Sequence, residues 1–155
     1  MKDLDTLIHD IYTVLDGLNS DKGVDIPEEL MEEFLVNTRE ALEGWSTPHL
    51  QSKTVRMSNV GRPLRRVWYD MQDTPLTKER MQPSTFIKFL YGHLLESVAI
   101  LLIKLSGHTV TDMQKEVEVD GIKGHMDCKI DGEVVDIKTA SNFSFKKFAS
   151  GTLVD

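Results

Sequence analysis

At 155 residues the chain is long enough for one domain, or one domain with a helical extension, and for a real core. A net charge of −7 excludes a protein that coats nucleic acid by bulk electrostatics. One cysteine, Cys128, excludes an internal disulfide and any four-cysteine zinc or iron–sulfur cluster.

In chain order, Leu4, Leu7, Ile8, Ile11, Val14, Leu15 and Leu18 form one stripe and predict a helix over residues 3–18. Residues 19–23 break it. Pro27 opens a second helix, expected to run to about Leu42 and to end at Gly44. Residues 45–57 read as loop or short strand. Ser58 or Asn59 caps a short helix carrying Arg62, Pro63, Arg65, Arg66 and Trp68. Residues 70–83, with Pro75 and Pro83, read as a linker. A long helix is predicted over 84–106, closed by Gly107 and largely buried, because Val98 to Ile103 are apolar nearly all round. Strands are predicted over 109–119, 122–130 and 133–139, and a last helix over 143–150. Asp120-Gly121 and Asp131-Gly132 join the strands, since type I′ turns need positive φ at both central residues.

Charge is unevenly spread along the chain. Residues 1–43 hold twelve acids against Lys2, Lys22 and Arg39, whereas residues 44–69 hold no acid but contain Lys53, Arg56, Arg62, Arg65 and Arg66. Such asymmetry suits a local phosphate-binding patch within an acidic protein. Arginines beside Trp68 fit a DNA end, with guanidinium groups on phosphate and a ring on a base. An ordinary amphipathic helix with Val67 and Trp68 packed inward fits the same pattern.

The stretch GHMDCKIDGEVVDIKTAS, residues 124–141, carries the chemistry. With Asp131-Gly132 as the loop, 130 pairs with 133, 128 with 135 and 127 with 136. Asp127 and Asp136 are then expected to face each other, with Cβ atoms about 4.5–5.5 Å apart. Lys138 projects from the same face, while Met126, Cys128, Ile130, Val135 and Ile137 line the core face. Two such carboxylates repel unless a proton or cation lies between them, which points to a metal. The bland alternative is a solvated Asp127–Lys138 pair. Pairing about the first turn sets Gln114 opposite Asp127 and Glu116 opposite His125, which faces Lys138. A bulge would shift that register by one. Gln114 and His125 are expected as groups supporting the metal ligands, with His125 more simply an exposed strand histidine. Glu96, on the edge of an apolar helix, needs a partner, a proton or a metal.

The spacing D-x8-D-x-K in this stretch resembles the PD-(D/E)xK nuclease superfamily, nearest to its phage-type and RecB-type, lambda-exonuclease-like branch. YGHLLESVAILLIKL, with G-x3-E ending at Glu96, resembles the ligand-bearing helix of those enzymes. SNVGRPLRRVWY resembles their Ser/Arg-bearing segment. The resemblance implies an α/β, restriction-endonuclease-like core over residues 55–155, a mixed sheet flanked by helices, with residues 1–54 as a helical extension. It implies catalysis by Glu96, Asp127, Asp136 and Lys138, with Mg²⁺ or Mn²⁺ held by Glu96, Asp127, Asp136 and the Ile137 carbonyl. Hard oxygen donors independently suit those ions. Ser58 and Arg65, with Arg62, Arg66 and Trp68, would hold DNA. The implied function is a DNA exonuclease of recombination or DNA degradation. The alternatives are a structure-specific endonuclease or resolvase, or a non-catalytic DNA-binding module. In the resembled enzymes a strand and a Q-x3-Y helix follow, so the chain is expected to be incomplete at its C-terminus. The expected partner is DNA, with a second copy or a phage recombination protein compatible and no membrane. MKDLDTLIHDIY is acidic rather than a signal peptide, and the apolar run around Ile100 is too short for a span. The expected compartment is the cytoplasm, of the host cell if a phage encodes the chain.

Overall fold

The computed structural model describes residues 2–47, 54–72 and 81–152. Residues 73–80 of the expected linker and 48–53 of the expected loop or strand lie outside these residues, while residues 45 and 46 of that loop are helical.

The protein is a mixed α/β fold in which helices precede small antiparallel sheets. Helix α1 (Leu7–Asp16) ends in a 3₁₀ turn at Gly17–Asn19. Helix α2 (Glu28–Ser46) runs past Gly44, where the sequence pattern placed its end. Tertiary packing carries it on: the Trp45 indole N–H donates to the Phe86 carbonyl at 2.8 Å. Helix α3 (Leu64–Met71) follows a 3₁₀ turn at Met57–Asn59. Helix α4 (Pro83–Leu105) starts with Pro83 in its first turn, where a missing N–H costs nothing. It ends in a Schellman turn: His108 N–H donates to the Ile103 carbonyl at 3.2 Å and Gly107 N–H to Lys104 at 2.9 Å. Gly107 has φ of +84°, the left-handed conformation this turn requires. Helix α5 (Asn142–Ala149) is capped by the Ser141 hydroxyl, which accepts from Ser144 N–H.

The strands are shorter than predicted and fall into two sheets. In one, β4 (Cys128–Ile130) lies between β1 (Val110–Thr111) and β5 (Glu133–Val135); the other pairs β2 (Glu116–Val119) with β3 (Ile122–His125). Both Asp-Gly turns form as expected, with positive φ at Asp120, Gly121, Asp131 and Gly132. The expected three-strand meander is interrupted by a bulge. Thr111 pairs with Lys129, and Gln114 N–H donates to the Asp127 carbonyl at 2.9 Å. Asp112 and Met113 therefore oppose Cys128 alone. Asp112 and Gln114 take positive φ to absorb the extra residue. Asp112 is anchored there by Lys115 at 3.1 Å and Lys129 at 3.0 Å.

The core gathers Ile103, Cys128 and Ile130, with Leu4, Leu7, Ile11, Val110, Val135 and Ile137 against them. Alternation along β4 dictates this, since Cys128 and Ile130 share one face and are fully buried. Burial pushes the Cys128 thiol above its ordinary range, so it is a packed core group rather than a nucleophile. Helix α4 departs from the expectation that it is largely buried. It packs on α1 and α2 along one side, while Phe86, Ile87, Phe89, Tyr91, Leu95 and Val98 are exposed. At 23 residues, with mean hydropathy reaching 1.7, it is long and apolar enough to cross a membrane by length and composition, unlike the short run expected around Ile100. The core helix of a water-soluble protein passes the same test.

Candidate active site

A cleft of about 510 Å³ opens where α4 meets the bulged hairpin. Helix α4 contributes His93, Glu96, Ser97 and Ile100; the bulge contributes Met113 and Gln114; the hairpin contributes Asp127 and Lys138. The third wall is α2, through Asn37, Glu40 and Ala41. Nothing in the local pattern of the N-terminal residues marks them for this site.

Gln114 links the two sides. Its side-chain N–H donates to Glu96 Oε1 at 2.9 Å while its backbone N–H holds the Asp127 carbonyl. Both contacts depend on the bulge, which leaves Gln114 opposite Asp127 as the turn register predicted. Burial first, and then the charge of Asp127, push the Glu96 carboxyl above its ordinary range; the Gln114 hydrogen bond pulls it back.

The expected ladder pair of Asp127 with Asp136 does not form. The β4–β5 ladder stops at Cys128–Val135, one step short. Asp127 Oδ2 instead accepts the Ile137 N–H at 2.8 Å, replacing a ladder bond with a side-chain bond. Asp136 turns outward: its side chain is 63 % exposed against 17 % for Asp127, and it lies outside the cleft lining. Lys138 joins the two, with Nζ 2.6 Å from Asp136 Oδ1 and 3.7 Å from Asp127 Oδ2. The Asp136 hydrogen bond holds the ammonium above its ordinary range. The expected pairing of Glu116 with His125 is present, but His125 is exposed on the β2–β3 ribbon, away from the cleft lining. The Ile137 side chain packs toward the core.

Among the described residues, no three His, Cys, Asp or Glu side chains converge closely enough to hold a metal ion as they stand. The donor chemistry nevertheless fits a hard divalent cation. Glu96 and Asp127 repel across the cleft edge, and a lysine ammonium already neutralises Asp127 and Asp136 where a cation would. Lys138 is 71 % exposed.

The basic segment forms a second feature. Arg56 bridges to Lys123, and Met57 lies against Gly124 so closely that a Cβ there would sit 2.8 Å from Met57 Cβ and Sδ. Only glycine admits this approach. Ser58 follows in the 3₁₀ turn, and the chain then enters α3, which makes no extensive contact with another element among the described residues. Trp68 is 56 % exposed, which overturns the inward packing that an ordinary amphipathic helix would give it. It meets Tyr69 edge-on with ring centres 4.9 Å apart. Arg65 lies over the Tyr69 ring at 5.8 Å, Arg62 reaches Asp70 at 3.9 Å, and an open groove of about 490 Å³ runs between Pro63, Arg65, Arg66, Tyr69 and Asp70. Tyr69 ends the SNVGRPLRRVWY segment, and its place one residue after Trp68 is the signal in the sequence that marks it.

No family model matches the chain, and neither a curated protein nor a solved structure is similar enough to match it.

Proposed function

We propose that this protein is a Mg²⁺- or Mn²⁺-dependent deoxyribonuclease with a restriction-endonuclease-like core, acting on DNA ends in the cytoplasm. The observation that carries the reading is the cleft in which Glu96, Gln114, Asp127 and Lys138 come together from a helix, a bulge and a hairpin. Glu96 and Asp127 would hold the ion, joined by Asp136 when Lys138 releases it and by the Ile137 carbonyl. When bound, the ion supplies a Lewis acid toward the scissile phosphate. Lys138, freed from Asp136, presents a positive charge to the phosphate in the transition state. Gln114 fixes Glu96, and His125 stands too far out on its ribbon to serve as a ligand. The arginine–aromatic groove of α3, with Ser58 before it, receives the strand: Arg62, Arg65 and Arg66 for phosphate, Trp68 and Tyr69 for stacking. The reading needs no membrane and no second protein.

A second reading is a DNA-binding module without catalysis. The exposure of Asp136 and its ion pair with Lys138 favour it.

One experiment separates the two. The parent and Lys138→Ala are incubated with Mn²⁺ on linear and on covalently closed DNA. Cleavage of linear DNA alone supports an exonuclease, and opening of closed DNA an endonuclease. Lys138→Ala is expected to bind DNA within a few-fold of the parent yet lose most turnover, because the contribution is made in the transition state. Cleavage at the parental rate by Lys138→Ala refutes its role. Salt-dependent binding with no cleavage by the parent supports the module.

A further inference from the structure

Away from the cleft, His108 is buried with its ring wholly covered. The Schellman turn that ends α4 delivers it there. Its Nδ1 lies 2.6 Å from Asp131 Oδ2, and its Nε2 lies 3.1 Å from Asp10 Oδ2. A neutral imidazole carries one N–H and can donate to only one of these carboxylates; the imidazolium donates to both. Each carboxylate is held from other sides as well. Asp131 Oδ1 accepts the Thr109 N–H at 2.9 Å, and Asp10 Oδ2 accepts the Thr6 hydroxyl at 2.9 Å and meets Lys2 Nζ at 3.1 Å. Lys2 also donates to the Ser106 carbonyl. Asp10, Lys2 and Asp131 are the charged groups in contact with this cluster among the described residues.

We propose that Asp10, His108 and Asp131 form a pH-sensitive latch that fastens the N-terminal helix to the hairpin turn. Asp10 belongs to α1, and Asp131 is the first residue of the β4–β5 turn. Through the latch α1 is held over Ile103 of α4 and over Cys128 and Ile130, the inner face of the strand that continues from Asp127. Lys2 and Thr6, with the ring, keep Asp10 below the ordinary carboxylate range; Thr109 and the ring do the same for Asp131. Both acids therefore hold their charge to lower pH than an ordinary carboxylate. As an imidazolium the ring bridges two anions; as a neutral imidazole it leaves one carboxylate facing a bare nitrogen lone pair, and α1 loses an anchor. The argument is independent of the nuclease reading.

Amide hydrogen exchange in the full chain, corrected for intrinsic rates, tests this from about pH 5.5 to about pH 8.5. Protection of Leu7–Asp16 is expected to fall by about tenfold across the range, the worth of one charge-assisted hydrogen bond, with Glu28–Ser46 as the internal control. His108→Gln cannot donate to both acids and is expected to show low, flat protection in α1. Asp10→Asn removes the anion that His108, Lys2 and Thr6 all meet at Oδ2, so its protection is expected to be lower than the parent's at the acid end and to change little with pH. A pH profile in Asp10→Asn identical to the parent, or none in the parent, overturns the latch. Should His108→Gln fail to fold, the Asp10→Asn comparison decides alone.

Discussion

Replacing Asp127 with asparagine or with alanine separates its structural duty from its chemical one. The carboxylate accepts the Ile137 N–H at 2.8 Å; the asparagine variant would retain an acceptor there, and the alanine variant would not. Losing the charge on that bond costs about 1 kcal/mol. Its 3.7 Å contact with a largely exposed Lys138 adds about 0.5 kcal/mol at most. Relief of the repulsion on Glu96 acts in the opposite direction. Asp127→Asn should thus stay within about 1 kcal/mol of the parent in metal-free buffer. Asp127→Ala strands a half-buried donor and should cost about 2 kcal/mol more, or about 4–8 °C in Tm for a chain of this size. Thermal melts in EDTA, paired with Mn²⁺ titration by calorimetry, make the comparison. Both variants should lose Mn²⁺ binding. Equal melting of the two would refute the Ile137 contact, and parental Mn²⁺ affinity in either would refute the metal assignment.

Glu96 sits above its ordinary range through burial and the Asp127 charge, so folding favours its protonated form. Its contribution to stability is present below the unfolded value and lost as pH rises through the raised folded one, so Glu96→Gln should melt higher than the parent at neutral pH without metal, and an equal or lower Tm would count against it. Arg65→Ala should weaken DNA binding and reduce the salt slope by about one unit, while leaving Mn²⁺ affinity unchanged in titration. Gly124→Ala forces a Cβ to 2.8 Å from Met57 Cβ and should cost about 1–3 kcal/mol in denaturant melts, with Met57→Gly, which removes that Cβ, restoring part of it in the same chain. Absence of rescue would mean that Met57 is not what Gly124 accommodates.

Local pattern made the helices and both Asp-Gly turns legible, because each rests on neighbours a few residues apart. The stripe of α1, Pro83 at the start of α4 and Gly107 at its end all act within one or two turns. Gly44 misled, since a tertiary bond from Trp45 outweighed the intrinsic cost of glycine in a helix. In the site, Gln114 opposite Asp127 followed from the turn register, whereas Asp127 opposite Asp136 failed because a side-chain acceptor replaced a ladder bond. Asn37, Glu40 and Ala41 were invisible for another reason: the packing of α2 on α4 is what places them in the cleft. The same holds for His108, whose partners lie 98 and 23 residues away.

The extra residue in the first strand stores the site geometry as a count rather than as a chemistry. Asp112 and Met113 occupy the span that Cys128 alone fills across the ladder, so the two small sheets run one residue out of phase. Substituting Met113 leaves that phase difference in place. Deleting it would let residues 110–119 pair with 122–130 in a single register, and one half would have to turn over. Either Val110 would leave the core or the amide at position 114 would swing away from Glu96. Variation in length at this point should be tolerated far less than variation in identity, although Met113 is itself exposed.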